Sequence, residues 1–286
     1  SRLFHLFNPS LRARCGVAEL VAWDWSGDTA RLEVVDARGR PLPHQLVESK
    51  AHPYWGHEYL KLLVEVSVPA GGHTTCLMRE REDYQRALPV PLDPRVEREP
   101  SFVLDNGLVR AVFHPGSGSL VSFQDLASGE EWVDGARHGG FRFILEDDSR
   151  GMTAWIVGRP METRDLTEGV RLKPVSGGPD SLEQSMGMEI PFRSSRLRAS
   201  VSLERGSRAL RFSVECDFRE WGERGKGIPQ LAFTFPLAKA QPTFTYDIPF
   251  GAVERPAVAM DLPGLSFIAA RGDGRALMLV TDSRYG

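Results

Sequence analysis

The sequence predicts an all-β protein of two domains, a small β-sandwich followed by a larger antiparallel β domain. Three observations predict it. Apolar and polar residues alternate along paired runs, most clearly from Leu197 to Asp217, as expected of strands with one buried and one wet face. Helical spacing is nearly absent; the best candidate, Arg79 to Leu88, is short and charged. Pro89, Pro91 and Pro94 then fall within six residues, which denies both a helix and a central strand and marks an extended linker. The expected division is residues 1–88, a linker over 89–100, and residues 101–286.

Taken in order, Arg2 to Phe7 is a strand-like run that begins almost at the first residue. Arg31 to Val35 is a second, running into a turn at Asp36-Ala37-Arg38-Gly39. Tyr59 to Val66 reads as a long strand. Beyond the linker, Phe102-Val103-Leu104 and Leu108 to Phe113 flank Asn106-Gly107, a pair favoured where both turn residues need positive φ. Pro115-Gly116-Ser117-Gly118 is another turn, leading into Leu120 to Phe123. Leu197, Ala199, Val201 and Leu203 alternate with polar residues, turn at Glu204-Arg205-Gly206-Ser207, and are answered by Leu210, Phe212, Val214 and Cys216. That pattern puts Cys216 on the buried face. Ala276 to Thr281 is a last strand, and with the abrupt start it suggests a piece of a longer protein.

The composition bounds the function. Apolar residues are 41% and charged residues 26%, with a net charge of -3, which suits a soluble globular chain with real cores. No basic stripe suited to phosphates is present, so nucleic acid is not an expected partner. No apolar run approaches the about 18 residues of a membrane span, so no membrane is expected either. The 3 cysteines, Cys15, Cys76 and Cys216, form no C-x-x-C pair, which fits a reducing, cytoplasmic compartment.

A search for catalytic apparatus finds none. His52 and His57 bracket Pro53-Tyr54-Trp55-Gly56, but their spacing of five puts them on opposite faces of a strand, without the convergent ligands zinc needs. Gly116-Ser117-Gly118 is too short for a nucleophile elbow. Gly222 to Gly227 lacks the Ser or Thr that follows lysine in a phosphate loop, and reads as a turn. Glu130-Glu131 and Glu146-Asp147-Asp148 are acidic pairs of the general kind glycoside hydrolysis uses, but read as solvated loops. Trp132, Trp155, Trp221 and Tyr246 could stack on sugar rings, although large aromatics more often fill a sandwich core.

Several segments, in this order and spacing, resemble the C-terminal β region of glycoside hydrolase family 38, the α-mannosidases. They are Phe7-Asn8-Pro9-Ser10; Val34 to Gln45 with its Asp36, Gly39, Pro43 and Gln45; Val66 to Gly72; Leu104 to Phe113; and Gly118 to Asp125. Asp147 to Val157, Tyr246 to Pro256 and Thr281 to Gly286 complete the series. The resemblance implies that the large domain is a supersandwich similar to galactose mutarotase, truncated at its C-terminal end. It further implies a parent enzyme that is a retaining, zinc-dependent exo-glycosidase, in which an Asp attacks the anomeric carbon and the metal holds sugar hydroxyls. The nucleophile and zinc ligands of that family lie in an N-terminal barrel followed by a helical domain. No His-x-Asp strand or His-His-Asp segment matching them occurs here, so no cofactor is expected in this chain itself. Where the family carries Asp-Ala-Trp-Asp, this chain has Thr153-Ala154-Trp155-Ile156.

On this reading the chain is a non-catalytic fragment that packs on the barrel and helical domain and helps to form the cleft for an oligosaccharide. Asp147, Trp155, Tyr246 and Arg255 are the candidates for the carbohydrate rim. His52, Tyr54, Trp55 and His57 are the candidates for the inter-domain interface. Two rivals are a free-standing carbohydrate-binding module and an aldose-epimerase-like enzyme, the latter needing a His and carboxylate pair.

Overall fold

The computed structural model describes residues 1–51, 56–82, 101–151, 157–239, 242–258, 262–272 and 274–282. Strands hold 59% of the described residues and helix 1%, so the fold is all-β. The strands are β1 (Arg2–Phe7), β2 (Arg14–Trp23), β3 (Leu32–Asp36), β4 (His44–Ala51), β5 (Glu58–Val68), β6 (His73–Glu80), β7 (Val103–Asp105), β8 (Val109–Phe113), β9 (Leu120–Asp125), β10 (Glu130–Glu131) and β11 (Gly140–Glu146). They continue with β12 (Pro160–Asp165), β13 (Arg171–Ser176), β14 (Glu183–Phe192), β15 (Ser195–Glu204), β16 (Leu210–Asp217), β17 (Ile228–Thr234), β18 (Thr243–Ile248), β19 (Gly251–Arg255), β20 (Phe267–Gly272) and β21 (Arg275–Val280). Arg79 and Glu80, placed by the sequence at the start of a short helix, instead finish β6, where Arg79 pairs with Glu33 across the sheet. The rest of that helix candidate and the proline-rich segment lie outside the described residues.

Among the described residues six sheets form, ordered β1-β6-β3, β2-β5-β4, β10-β9-β8-β7, β12-β11-β17, β13-β14-β15-β16 and β19-β18-β20-β21. The chain divides into two compact units: Ser1–Arg110 with Leu172–Met188 and Arg198–Val214, and Ala111–Arg171 with Glu189–Leu197 and Glu215–Gly286.

In the first unit, the sheets β1-β6-β3 and β2-β5-β4 share one core. Leu20 and Ala22 of β2, Leu60, Leu62 and Val64 of β5, Val34 of β3, and Cys76 and Met78 of β6 are buried together. The period-two pattern of β5 produces this directly, because Leu60, Leu62 and Val64 point to one side of the pleat. Two segments singled out in the sequence interlock at the end of this sandwich. Asn8 is 4% exposed; its amide donates to Arg12 O at 2.8 Å, Val68 O at 3.2 Å and Pro69 O at 3.0 Å, and its Oδ1 accepts from Ser10 N at 3.1 Å. Gly71 N donates back to Ser10 O at 2.9 Å. The Asn is required because it closes a loop whose carbonyls would otherwise be buried without donors.

Asp36 performs a similar task in its turn, accepting from Arg38 N and Arg40 N, while Gly39 takes φ +77°. The loop at Asn106-Gly107 departs from the mirror-image turn expected of it. Gly107 has φ +80° and Asn106 is not in the positive-φ region. The Asn106 side chain accepts from Leu108 N and Val109 N, and donates to Glu204 O and Ser207 O, both at 2.7 Å. Its contacts outside the loop decide its conformation.

In the second unit, Phe143 is buried beside Phe192 at 6.3 Å, and Phe141 meets Phe233 edge-on at 5.3 Å. Arg193, at φ +45° in the β14–β15 turn, lays its guanidinium 4.1 Å over the Phe143 ring.

Candidate functional site

Tyr246 and Arg255 come together on the sheet β19-β18-β20-β21. The hairpin of β18 and β19 pairs Phe244 with Arg255 and Tyr246 with Val253, so Arg255 and Tyr246 are diagonal neighbours on one face. The Arg255 guanidinium lies 5.1 Å from the Tyr246 ring centroid, and its Nη1 donates to Pro263 O at 2.9 Å. Next to Tyr246, Asp247 is a hydrogen-bond hub: its carboxylate accepts from Leu265 N, Ser266 N, Phe267 N and the Ser266 hydroxyl. Partial desolvation opposes ionisation of Asp247, but the Ser266 hydroxyl and the three backbone N–H groups outweigh it and hold its pKa at about 2. The hub pins residues 265–267 to β18. It has no periodic signature in the sequence; a Ser following a Leu in a loop gives little to find it by.

Asp147 sits elsewhere, just past the end of β11. It accepts from Ser149 N at 2.8 Å, which with the Ser149 side chain holds its carboxyl below the usual range, while Arg159 approaches to 3.8 Å. Its neighbour Glu146 corrects the expectation of a solvated acidic loop. Glu146 is 3% exposed, and its carboxylate accepts from Gly158 N and from the Gln230 amide. Gly158 passes so close to Asp147 O that no Cβ could fit. Asp148 is committed as well, accepting from Gly225 N at 2.8 Å. Trp155 lies outside the described residues.

Glu130 and Glu131 are likewise structural rather than loop acids. Glu131 accepts from Ser122 Oγ, Phe123 N and Val133 N. Glu130 pairs with Lys239 and, at 2.8 Å, with Arg275; these cations, Lys239 first, hold its carboxyl low. Lys239 in turn lies 5.3 Å over the buried Trp132 ring.

Of the interface candidates, His52, Tyr54 and Trp55 lie outside the described residues. His57 is exposed, and its Nδ1 is 2.7 Å from Asp24 Oδ2. That hydrogen bond, with one from Glu58 N, lowers the Asp24 pKa. Arg2 donates to Asp24 O at 3.0 Å, and Trp23 stacks at a tilt on Tyr59 at 5.2 Å.

The donor set of the described residues does not suit a zinc ion. Among the described residues no three His, Cys, Asp or Glu side chains converge, and the acids described above are already engaged by backbone or cationic donors.

Within each unit, antiparallel sheets carry polar clusters that lock the loops between strands. Residues 104–286 match the C-terminal domain of the glycosyl hydrolases of family 38, and the chain belongs to that family. It is 31% identical over 243 residues to mouse Alpha-mannosidase 2C1, an alignment covering 76% of this chain and 21% of the mouse protein. A crystal structure of a family 38 glycosyl hydrolase protein from Enterococcus faecalis superposes with a TM-score of 0.63 at 15% identity, over 94% of this chain and 37% of that one. The chain therefore spans about a fifth of the length of the mouse relative and little more than a third of the bacterial one.

Proposed function

We propose that this chain is the non-catalytic β region of a retaining, zinc-dependent α-mannosidase of the cytoplasm. The observation that carries the reading is the family 38 match over residues 104–286 together with the likeness to a mouse α-mannosidase. The chain's part is to pack on the catalytic portion of the polypeptide and to shape the cleft for an α-linked mannosyl oligosaccharide. Tyr246 and Arg255 suit the rim because a tyrosine ring held by a cation is a rigid platform with a hydrogen-bonding end. Asp147 serves as a second polar point and Trp155 as a further ring. The division at residues 89–100 stays part of the proposal, as does an interface formed by residues 52–57.

The test compares this chain with the longer polypeptide on an aryl α-mannoside, with elemental analysis of protein kept free of chelators. The expected result is hydrolysis and bound zinc only in the longer polypeptide, and recovery of activity when the chain is mixed with the separately expressed remainder. Turnover by the isolated chain, or one tightly held zinc per chain, overturns the reading.

A further inference from the structure

We propose that the turn joining β8 to β9 is an acid-operated latch, held shut by the neutral ring of His114. Each backbone N–H of the turn is taken up inside it, and two of them depend on one ring nitrogen. His114 Nδ1 accepts from Gly116 N and from Ser117 N, both at 3.2 Å, with the Ser117 hydroxyl at the same distance. Gly118 N donates to His114 O at 2.9 Å, and Ser119 N donates to Ser117 Oγ at 3.4 Å. Pro115 has no N–H to satisfy. Gly116 leaves room for the ring, because a Cβ there would lie 3.3 Å from His114 Cε1.

A ring nitrogen that accepts from backbone N–H groups carries no proton of its own, so the proton of this imidazole is on Nε2. A second proton can go only to Nδ1, where it would face Gly116 N–H and Ser117 N–H and remove their acceptor. The ring must then swing out, leaving both amides without a partner in the turn. The closed turn is therefore favoured at higher pH and is lost as pH falls through the range in which imidazoles gain their charge, about pH 8 to 5. The latch reaches the interior. Ser119 is 7% exposed and its Oγ accepts from Gly139 N at 3.1 Å, while Leu120 N donates to Gly139 O at 2.7 Å. Opening the turn frees the residues that tie the start of β9 to this glycine.

His138, at the other end of this network, is not the trigger. Its Nε2 lies 3.0 Å from Phe141 O, which can only accept, so that nitrogen holds the proton; its Nδ1 lies 3.0 Å from Ser119 Oγ. A hydroxyl can donate to that nitrogen or accept from it, and when it accepts, its own proton turns to Gly139 O at 3.3 Å. His138 thus takes a second proton without losing a bond. Beside it, Asp134 and Arg137 are paired with each other at 2.8 Å. The charged side chains of the sheet itself, Asp105, Arg110, Asp125, Glu130 and Glu131, lie toward the opposite end of its strands. Among the described residues no hydrogen bond or ion pair joins His114 to a charged side chain.

The experiment uses NMR on the whole chain. It compares amide-exchange protection, relative to unstructured peptide, at about pH 8 and about pH 5, and identifies which ring nitrogens of His114 carry protons. The expected result is a His114 ring protonated at Nε2 alone at the higher pH, and a loss of protection of about ten-fold or more at Gly116 and Ser117 at the lower. His114→Asn places an amide oxygen that accepts the same bonds without titrating, and should keep both amides protected throughout; His114→Ala should leave them unprotected throughout. Protection in the wild type that does not change with pH overturns the proposal. So does a pH dependence that survives in His114→Asn or vanishes in His138→Gln, because another group would then be driving the turn. None of these outcomes depends on hydrolysis, zinc or a sugar, so the proposal and the function proposed above can fail separately.

Discussion

Gln45 and Glu183, far apart in the chain, are joined by a side-chain amide that imitates a strand. Gln45 Oε1 accepts from Glu183 N at 3.1 Å and from Leu182 N at 2.8 Å, while its Nε2 donates to Glu183 O at 3.2 Å. Both residues belong to the first compact unit, which Arg205 further ties together through Glu65 at 3.4 Å. Gln45 thus adds side-chain hydrogen bonds at the start of β14, where Leu182 O also accepts from Arg205 N at 2.8 Å.

Gln45→Ala removes one acceptor and one donor from three backbone groups that are part-buried. The expected loss of stability is about 1–3 kcal/mol, read from urea unfolding. Gln45→Glu fails to rescue it, because a carboxylate cannot donate to Glu183 O. A loss no larger than that of an ordinary surface substitution would show that water replaces the amide without cost.

Asp247 makes the chain sensitive to acid. Its folded pKa of about 2 lies below the ordinary carboxylate value, so its contribution is present above about pH 4 and is lost as pH falls towards 2. Asp247→Asn should lower the thermal midpoint at neutral pH and flatten its decline between about pH 4 and pH 2. Parallel melting curves for the two proteins across that window would refute the assignment.

The three thiols should react in a fixed order. Cys15 is exposed, Cys216 is half-buried and Cys76 is buried. Burial, and then Asp36, pushes the Cys76 thiol up; burial, and then Asp217, does the same for Cys216. Timed labelling under native conditions, read by mass spectrometry, should modify Cys15 first, Cys216 next and Cys76 last. Modification of Cys76 ahead of Cys216 would mean that the sandwich core opens locally.

Tyr246 and Arg255 should show a measurable coupling. A double-mutant cycle with Tyr246→Leu and Arg255→Met is expected to give about 0.5–1 kcal/mol of interaction in thermal or urea unfolding. Additive effects would mean that Arg255 is held by Pro263 O alone.

The sequence by itself determined the class and most of the strands. Period-two alternation located β15 and β16, because facing on a pleated strand is a local property, and the runs at Arg2–Phe7 and Tyr59–Val66 located β1 and β5. Gly39 and Gly206 marked turns, because their positive φ excludes most other residues. The ordered segments from Phe7 to Gly286 pointed to family 38. What alternation cannot encode is which neighbour covers a face, and there the tertiary structure decided. Cys216 was expected on a buried face and is half-buried, with Val214 44% exposed, because β16 is the edge of its sheet and has a partner on one side only. Glu146 was expected in solvent and is enclosed, because Gly158 and Gln230 approach from segments distant in sequence. Asn106 was expected to shape its own hairpin, yet it serves carbonyls about a hundred residues away. The Tyr246–Arg255 contact and the Asp247 hub arose in the same way: each needs a register between strands, which long-range pairing sets and no local pattern can carry.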